Sequence, residues 1–228
     1  MIAPVSTVHI YVLLDRSGSM ATMAEQVVAG FNRLLREQQA DGHDGRMTLV
    51  QFDDVDPHDV VLDAVPLAEL VPLRHAQFEP RGMTPLLDAT GLLIGRATGR
   101  QADLATLGQP AEQILFVTIT DGQENDSHEF DRARIVQLVR AKEAEGWSFV
   151  FMGADLDAYG EAAGLGYDAR SVQSFAPDGT GADLAFASLS QKTTAFRDKV
   201  RDGINFDQGD FFEDDKPAEA DRTRRHDS

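Results

Sequence analysis

The chain has 228 residues, no cysteine, and 38 acidic against 21 basic side chains, which gives a formal charge of −17 at pH 7. The lack of thiols excludes disulfides, thiolate zinc sites, iron–sulfur clusters and cysteine nucleophiles. The acidic balance argues against nucleic acid or a membrane surface as partner, because both need a basic face on the protein. The sequence has no apolar stretch long enough to cross a bilayer, and its first residues do not resemble a secretion signal, so we expect a cytoplasmic protein.

Apolar runs of strand length alternate along the chain with segments of helical period. Strands are predicted over residues 8–14, 47–52, 60–65, 114–120, 148–153 and 171–175. Helices are predicted over 23–39, from Thr84-Pro85 onward with Thr84 as N-cap, over 131–145, from a cap at Asp155 through Ala163, and over 183–201.

This alternation predicts an α/β fold, a Rossmann-like three-layer α/β/α sandwich with a mostly parallel central sheet. Prolines flank the run 60–65, which favours one short antiparallel strand at an edge. Residues 1–201 are predicted to form a single domain. Residues 202–228 are acidic and lack periodicity, which predicts a disordered C-terminal tail, with docking of the pair Phe211-Phe212 as the alternative.

The two most apolar strands each end in a carboxylate. Asp15 follows the first of them and Asp121 follows the strand over 114–120. The carboxyl ends of parallel strands meet at one edge of a sheet, so both side chains are expected at the same rim. The hydroxyls of Ser17, Ser19 and Thr84 lie in adjoining loops. A site made only of oxygen atoms favours a hard cation, with Mg²⁺ or Mn²⁺ ahead of zinc or copper.

Each of these residues also has a simpler interpretation. Ser17 and Ser19 are suited to capping the first helix, and Thr84 to capping the helix that Pro85 begins. Asp121 with the following glycine is typical of an ordinary turn. The acidic loop 53–56 is more typical of a solvated surface than of a second cation site.

Taken together, the runs DRSGSM (15–20), GMTPL (82–86) and TDG (120–122) resemble the metal-ion-dependent adhesion site of von Willebrand factor A (VWA) domains. All five signature positions are matched in order. The segment FVFMGADLDAYGEAAGLG (149–166) is similar to stand-alone bacterial or phage members of that family.

The resemblance implies roles for the five residues. Ser17 and Ser19 would coordinate the ion through their hydroxyls, and Thr84 would bind it directly or through a water. Asp15 and Asp121 would act mostly through bound waters, which leaves Mg²⁺ or Mn²⁺ free to accept an Asp or Glu carboxylate from a partner protein.

The implied function is therefore metal-dependent protein binding by an intracellular adaptor or scaffold, with ATPase-associated complexes as the partner class, and not catalysis. The alternative is a Mg²⁺-dependent phosphohydrolase that uses Asp15. Neither a lysine nor a paired acid and base accompanies Asp15 in the sequence motif, which favours binding.

Overall fold

The computed structural model describes residues 7–154, 157–204 and 211–212. Within them, six strands form one sheet: β1 (Val8–Asp15), β2 (Gly45–Phe52), β3 (Asp59–Pro66), β4 (Gln113–Thr120), β5 (Ser148–Gly153) and β6 (Val172–Ser174). Their order is β3-β2-β1-β4-β5-β6, and every neighbouring pair is parallel except β2 with β3. The predicted mostly parallel sheet with one antiparallel edge strand is confirmed.

Helices cover both faces of the sheet. In the described part of the chain the α-helices are α1 (Ala24–Asp41), α2 (Leu86–Thr106), α3 (Arg132–Ala144), α4 (Ala158–Gly164) and α5 (Gly179–Arg201). The cluster of buried side chains on one face joins α1 and α5 to the sheet, and the cluster on the other face joins α2, α3 and α4. These layers confirm the three-layer α/β/α architecture.

Strand β1 lies near the middle of the sheet and is buried along its whole length. Its side chains alternate between the two clusters: Ile10 and Val12 face α1 and α5, whereas Tyr11 and Leu13 face the opposite layer. A strand covered by helices on both faces needs apolar residues at every position. This requirement explains the near-continuous apolar run of the sequence.

Three helix starts differ from the sequence prediction. Helix α2 begins at Leu86, and Pro85 rather than Thr84 occupies the N-cap position, because the ψ angle of Pro85 is 63° and therefore not helical. Helix α4 has Asp157 at its N-cap, and the predicted cap Asp155 lies outside the described residues. Helix α5 begins before the predicted residue 183, because the Asp178 carboxylate caps it by accepting a hydrogen bond from a backbone N–H of the first turn.

The predicted tail, residues 202–228, lies outside the described part of the structure except for residues 202–204 and 211–212. Phe211 and Phe212 are buried in the apolar cluster that includes α1 and α5. None of the helices in the described ranges is long and apolar enough to cross a membrane.

Candidate metal centre

The candidate site lies where the winding of the sheet reverses. Strand β1 pairs with β2 on one side and with β4 on the other, and Leu14 is in register with Ile119. Asp15 is the last residue of β1 and Thr120 the last of β4. The carboxyl ends of two central strands therefore meet at a topological switch point, where open α/β sheets bind their ligands.

Four of the five predicted residues form a continuous chain of hydrogen bonds. The Ser17 backbone N–H donates to Asp15 Oδ1 at 2.6 Å, and the hydroxyls of Ser17 and Ser19 are 3.1 Å apart. Ser19 Oγ donates to Asp121 Oδ1 at 2.7 Å. The loop after β1 thus connects Asp15, the last residue of β1, with Asp121, which follows β4.

The fifth residue, Thr84, reaches the same place from the loop before α2. A Cβ atom added to Gly122 would lie 3.0 Å from Thr84 Oγ1 and 3.7 Å from Asp15 Oδ2. The Thr84 hydroxyl and the Asp15 carboxylate therefore both face the backbone of Gly122. This space stays open only because residue 122 has no side chain. The structure brings all five predicted residues to one point.

The centre of the site is buried and its rim is open. Asp15, Ser17 and Thr84 are nearly inaccessible, at 0%, 2% and 2% exposure. Ser19 is exposed and Asp121 is half-buried. An ion held at the centre would therefore be reached from the side of Ser19 and Asp121.

The buried Asp15 carboxylate has no compensating positive charge among the described residues. Burial raises the pKa of Asp15 to about 7, although hydrogen bonds from Thr120 and Ser17 oppose the shift, and the nearby Asp121 carboxylate adds to it. No basic side chain among the described residues forms an ion pair with Asp15. A buried carboxylate beside a second carboxylate is unfavourable unless a cation compensates it.

The arginine inside the motif does not supply that charge. Arg16 turns away from the site, and its Nε donates to Asp53 Oδ2 at 2.8 Å while its Nη1 donates to Asp59 Oδ2 at 2.7 Å. The guanidinium therefore anchors the loop to β3 and to the residue that follows β2.

The acidic loop 53–56 differs in part from the solvated surface predicted from the sequence. Asp53 is fully buried, and its Oδ1 accepts hydrogen bonds from the backbone N–H groups of Val55 and Asp56, both at 2.8 Å. Its Oδ2 accepts from Arg81 at 2.8 Å as well as from Arg16. Asp53 therefore joins the loop after β1 to the loop that carries Thr84, and its oxygens are already used.

The helix-cap interpretation of the hydroxyls is not supported. Ser17 occupies the N-cap position of a 3-10 helix (Gly18–Met23), but its side chain makes no capping hydrogen bond. Thr84 is not the N-cap of α2. The Ser19 hydroxyl donates to Asp121 on another loop. All three hydroxyls remain on the side of the carboxylates, where they are suited to binding a cation.

Sequence reasoning missed several residues that support the site. Thr120 donates its hydroxyl proton to Asp15 Oδ2 at 2.5 Å. The Asn125 side chain accepts a hydrogen bond from the Thr84 backbone N–H at 2.8 Å. The Asp88 carboxylate accepts from three consecutive N–H groups in residues 128–130 and holds the loop after Asp121. Thr120 was visible beside Asp121 in the sequence, whereas the other two contacts join distant segments and have no local signal.

The donor set fits a hard divalent cation. Within the described ranges no group of three or more histidine, cysteine, aspartate or glutamate side chains could hold a metal ion. A site here has to rely on hydroxyls to supplement two carboxylates, as the five residues do. Oxygen donors of this kind suit Mg²⁺ or Mn²⁺.

Several solved structures share this fold at low sequence identity. The pilus adhesin SpaC from Lactobacillus rhamnosus GG, in its open conformation, has a TM-score of 0.61 at 11% identity, covering 84% of this chain and 30% of that one. The manganese-loaded TRAP protein of Plasmodium vivax has a TM-score of 0.52 at 14% identity, covering 79% and 72%. Proximal thread matrix protein 1 from the mussel byssus has a TM-score of 0.54 at 13% identity, covering 83% and 46%.

No protein-family model matches the chain, and a search of curated proteins finds no relative. This chain spans less than a third of the length of the SpaC structure. At identities of 11–14% the likeness establishes the fold alone. The protein therefore has a VWA-like fold, with five oxygen-bearing side chains gathered at the edge of its sheet where the winding reverses.

Proposed function

We propose that this protein is a divalent-metal-dependent protein-binding module that acts as an adaptor or scaffold in the cytoplasm. Asp15, Ser17, Ser19, Thr84 and Asp121 would hold Mg²⁺ or Mn²⁺ as a metal-ion-dependent adhesion site. The ion, when bound, supplies a Lewis-acidic bridge to an Asp or Glu carboxylate of a partner protein. The observation that carries the proposal is the convergence of these side chains around a buried Asp15 that no basic side chain of the described residues neutralises.

The residues of the chain have distinct tasks in this proposal. The Thr120 hydroxyl and the Ser17 N–H hold the two oxygens of Asp15 in fixed directions. The Ser19–Asp121 hydrogen bond keeps the two loops together at the open rim. Met83, next to Thr84, is 44% exposed and offers an apolar contact to a protein surface that reaches the ion.

The names of two similar structures support this proposal. One is called a pilus adhesin and the other is described as manganese-loaded. Adhesion and manganese binding are properties of those proteins, and we extend them to this chain because the oxygen-bearing side chains are present and assembled. ATPase-associated complexes remain the partner class that we propose for it.

Binding is a better proposal than catalysis at this site. A phosphohydrolase that uses Asp15 as its nucleophile would need a carboxylate oxygen of Asp15 to reach phosphorus. Asp15 is fully buried and both of its oxygens already accept hydrogen bonds, from Ser17 and Thr120. A carboxylate so enclosed is poorly placed to reach a phosphoryl group.

The proposal is tested by the waters that remain on a bound Mn²⁺ ion. Water-proton relaxation of the Mn²⁺-loaded protein is measured while acetate is added as a model of the partner carboxylate. Displacement of about one fast-exchanging water by acetate is expected, because an open coordination position should accept a carboxylate. Unchanged relaxation at saturating acetate would contradict a carboxylate-binding function.

A further inference from the structure

Two aromatic side chains beyond α5 are buried in the domain. Phe211 and Phe212 are 1% and 0% exposed and belong to the apolar cluster on the α1 and α5 face of the sheet. Their rings meet edge to face, with centroids 4.9 Å apart. The pair is therefore a part of the core that comes from outside the predicted domain of residues 1–201.

The pair lies beside the last strand of the sheet. The Phe212 backbone N–H donates to the carbonyl oxygen of Arg170 at 3.1 Å, and Arg170 lies just before β6. Strand β6 has three residues and, among the strands described, pairs only with β5. An edge strand this short leaves the core beneath it open unless another segment covers it.

Helix α5 ends before the aromatic pair, and its last turn is closed by hydrogen bonds from the residues that follow it. The backbone N–H of Gly203, whose φ is +67°, donates to the Val200 carbonyl, and the N–H of Ile204 donates to the Lys199 carbonyl. A left-handed glycine with such bonds is a typical helix stop. Phe211 and Phe212 therefore do not form a continuation of α5.

The sequence around the pair shows what drives its docking. Residues 207–216 read DQGDFFEDDK, and the two phenylalanines are the only apolar side chains among them. A segment with this many charges does not bury itself unless specific apolar groups are removed from water. Phe211 and Phe212 supply that apolar surface.

We propose that the domain contains a recognition slot beside β6 for an aromatic pair within an acidic segment, and that Phe211 and Phe212 of the same chain occupy it as a clip. The slot lies at the amino-terminal end of β6, whereas the candidate metal centre lies at the carboxyl ends of β1 and β4. The clip therefore stabilises the domain without any contribution from a metal ion.

The first test compares the Phe211→Ala/Phe212→Ala variant of the 228-residue chain with wild type in EDTA. Removing two buried rings is expected to lower Tm by about 10 °C or more. The matched control is Leu107→Ala/Ile204→Ala, because both of these side chains are exposed, at 70% and 55%. The control should change Tm by no more than about 2 °C. Equal Tm values for wild type and the Phe211→Ala/Phe212→Ala variant would overturn the proposal.

The second test asks whether the slot can be filled in trans. A synthetic peptide of residues 207–216 is added to the Phe211→Ala/Phe212→Ala variant, and the same peptide with both phenylalanines replaced by alanine serves as control. The intact peptide is expected to restore several degrees of Tm, and it should have no effect on wild type, whose slot is filled. No rescue, or equal rescue by both peptides, contradicts a separable slot.

A third measurement needs no variant, so it remains decisive if the alanine variant does not fold. The Phe212 amide of wild type should exchange slowly with deuterium, because it donates to Arg170. Fast exchange at this amide would overturn the proposal. Replacement of the pair should also leave the oligomeric state of the protein unchanged. A dimer that dissociates on replacement of the pair would place the rings in a second copy and contradict the intramolecular clip.

Discussion

Replacing Asp15 by asparagine removes a charge from the candidate metal centre with little change in shape. The asparagine oxygen can accept the Ser17 N–H that Asp15 Oδ1 accepts at 2.6 Å. Its amide group can donate to Thr120 Oγ1, which then turns its own proton toward the Gly122 carbonyl, 3.1 Å away. The Asp15→Asn variant therefore tests the cost of the charge and not the loss of hydrogen bonds.

The magnitude follows from the burial of Asp15. Its pKa is raised from 3.8 to about 7, and each pKa unit corresponds to about 1.4 kcal/mol, so burying the charged form costs up to about 4 kcal/mol. A raised carboxylate pKa means that the unfolded chain ionises first, so wild type loses stability as the pH rises from 3.8 to about 7. The Asp15→Asn variant does not lose stability in this way, because asparagine does not ionise. In mildly alkaline EDTA we expect its Tm to exceed that of wild type by about 5 °C or more.

Mg²⁺ should reduce this difference by stabilising wild type alone. At about 100 times its Kd, a ligand adds about 2.7 kcal/mol of stability, which for a domain of this size raises Tm by roughly 5–10 °C. Wild type should show that rise and the Asp15→Asn variant should not. Differential scanning calorimetry with and without Mg²⁺ measures both effects, and Asp103→Asn, at an exposed position on α2, is the matched control. A variant that is less stable than wild type in EDTA would refute the reasoning, since Asp15 would then stabilise the metal-free fold.

Two further predictions concern ion pairs away from the site. Burial disfavours the charged form of Glu112, but hydrogen bonds, first among them the one from Arg100, outweigh burial and lower the pKa of Glu112 from 4.5 to about 2. Glu112→Gln should therefore be less stable than wild type at neutral pH. Urea unfolding should show this difference in stability shrinking as the pH falls from 4.5 toward 2. Arg197 is fully buried, its Nη2 lies 2.6 Å from Asp44 Oδ1, and its Nη1 donates to the Gln38 carbonyl oxygen at 2.8 Å. Arg197→Met should cost about 1–3 kcal/mol in urea unfolding, because these buried hydrogen bonds are lost while Asp44 keeps its ion pair with Arg201. Arg140→Met, on the exposed side of α3, should cost less than about 0.5 kcal/mol.

The central sheet and the carboxylates at its edge could be predicted because their signals are local. The apolar run that ends at Asp15 is long enough to identify a strand buried on both faces, and the carboxyl end of such a strand is where α/β folds place ligands. The hydroxyls of Ser17 and Thr84 were ambiguous from sequence alone, since the same residues are common helix caps. The structure resolves this ambiguity, because Ser17 makes no side-chain capping hydrogen bond and Pro85, rather than Thr84, is the N-cap of α2.

Contacts between distant segments could not be predicted. Asp53 looked like one of several exposed acids, yet it is buried between Arg16 and Arg81, which are 65 positions apart in the sequence. Phe211 and Phe212 stand in an acidic segment whose composition predicts disorder, and only their place in the folded core explains why two rings occur there. Composition describes a whole segment, whereas burial depends on which surface each side chain meets.

The metal centre is tested most directly by a calorimetric titration of Mg²⁺ and Mn²⁺ into the 228-residue chain, with and without excess acetate. We compare wild type with Asp15→Ala and with Ser17→Ala/Ser19→Ala, and use Thr22→Ala as the control that removes an exposed hydroxyl near the site. We expect one saturable ion per chain in wild type and in Thr22→Ala, and none in the other two variants. If wild type binds no ion even with acetate, or if Ser17→Ala/Ser19→Ala binds as wild type does, the five residues are not a metal centre.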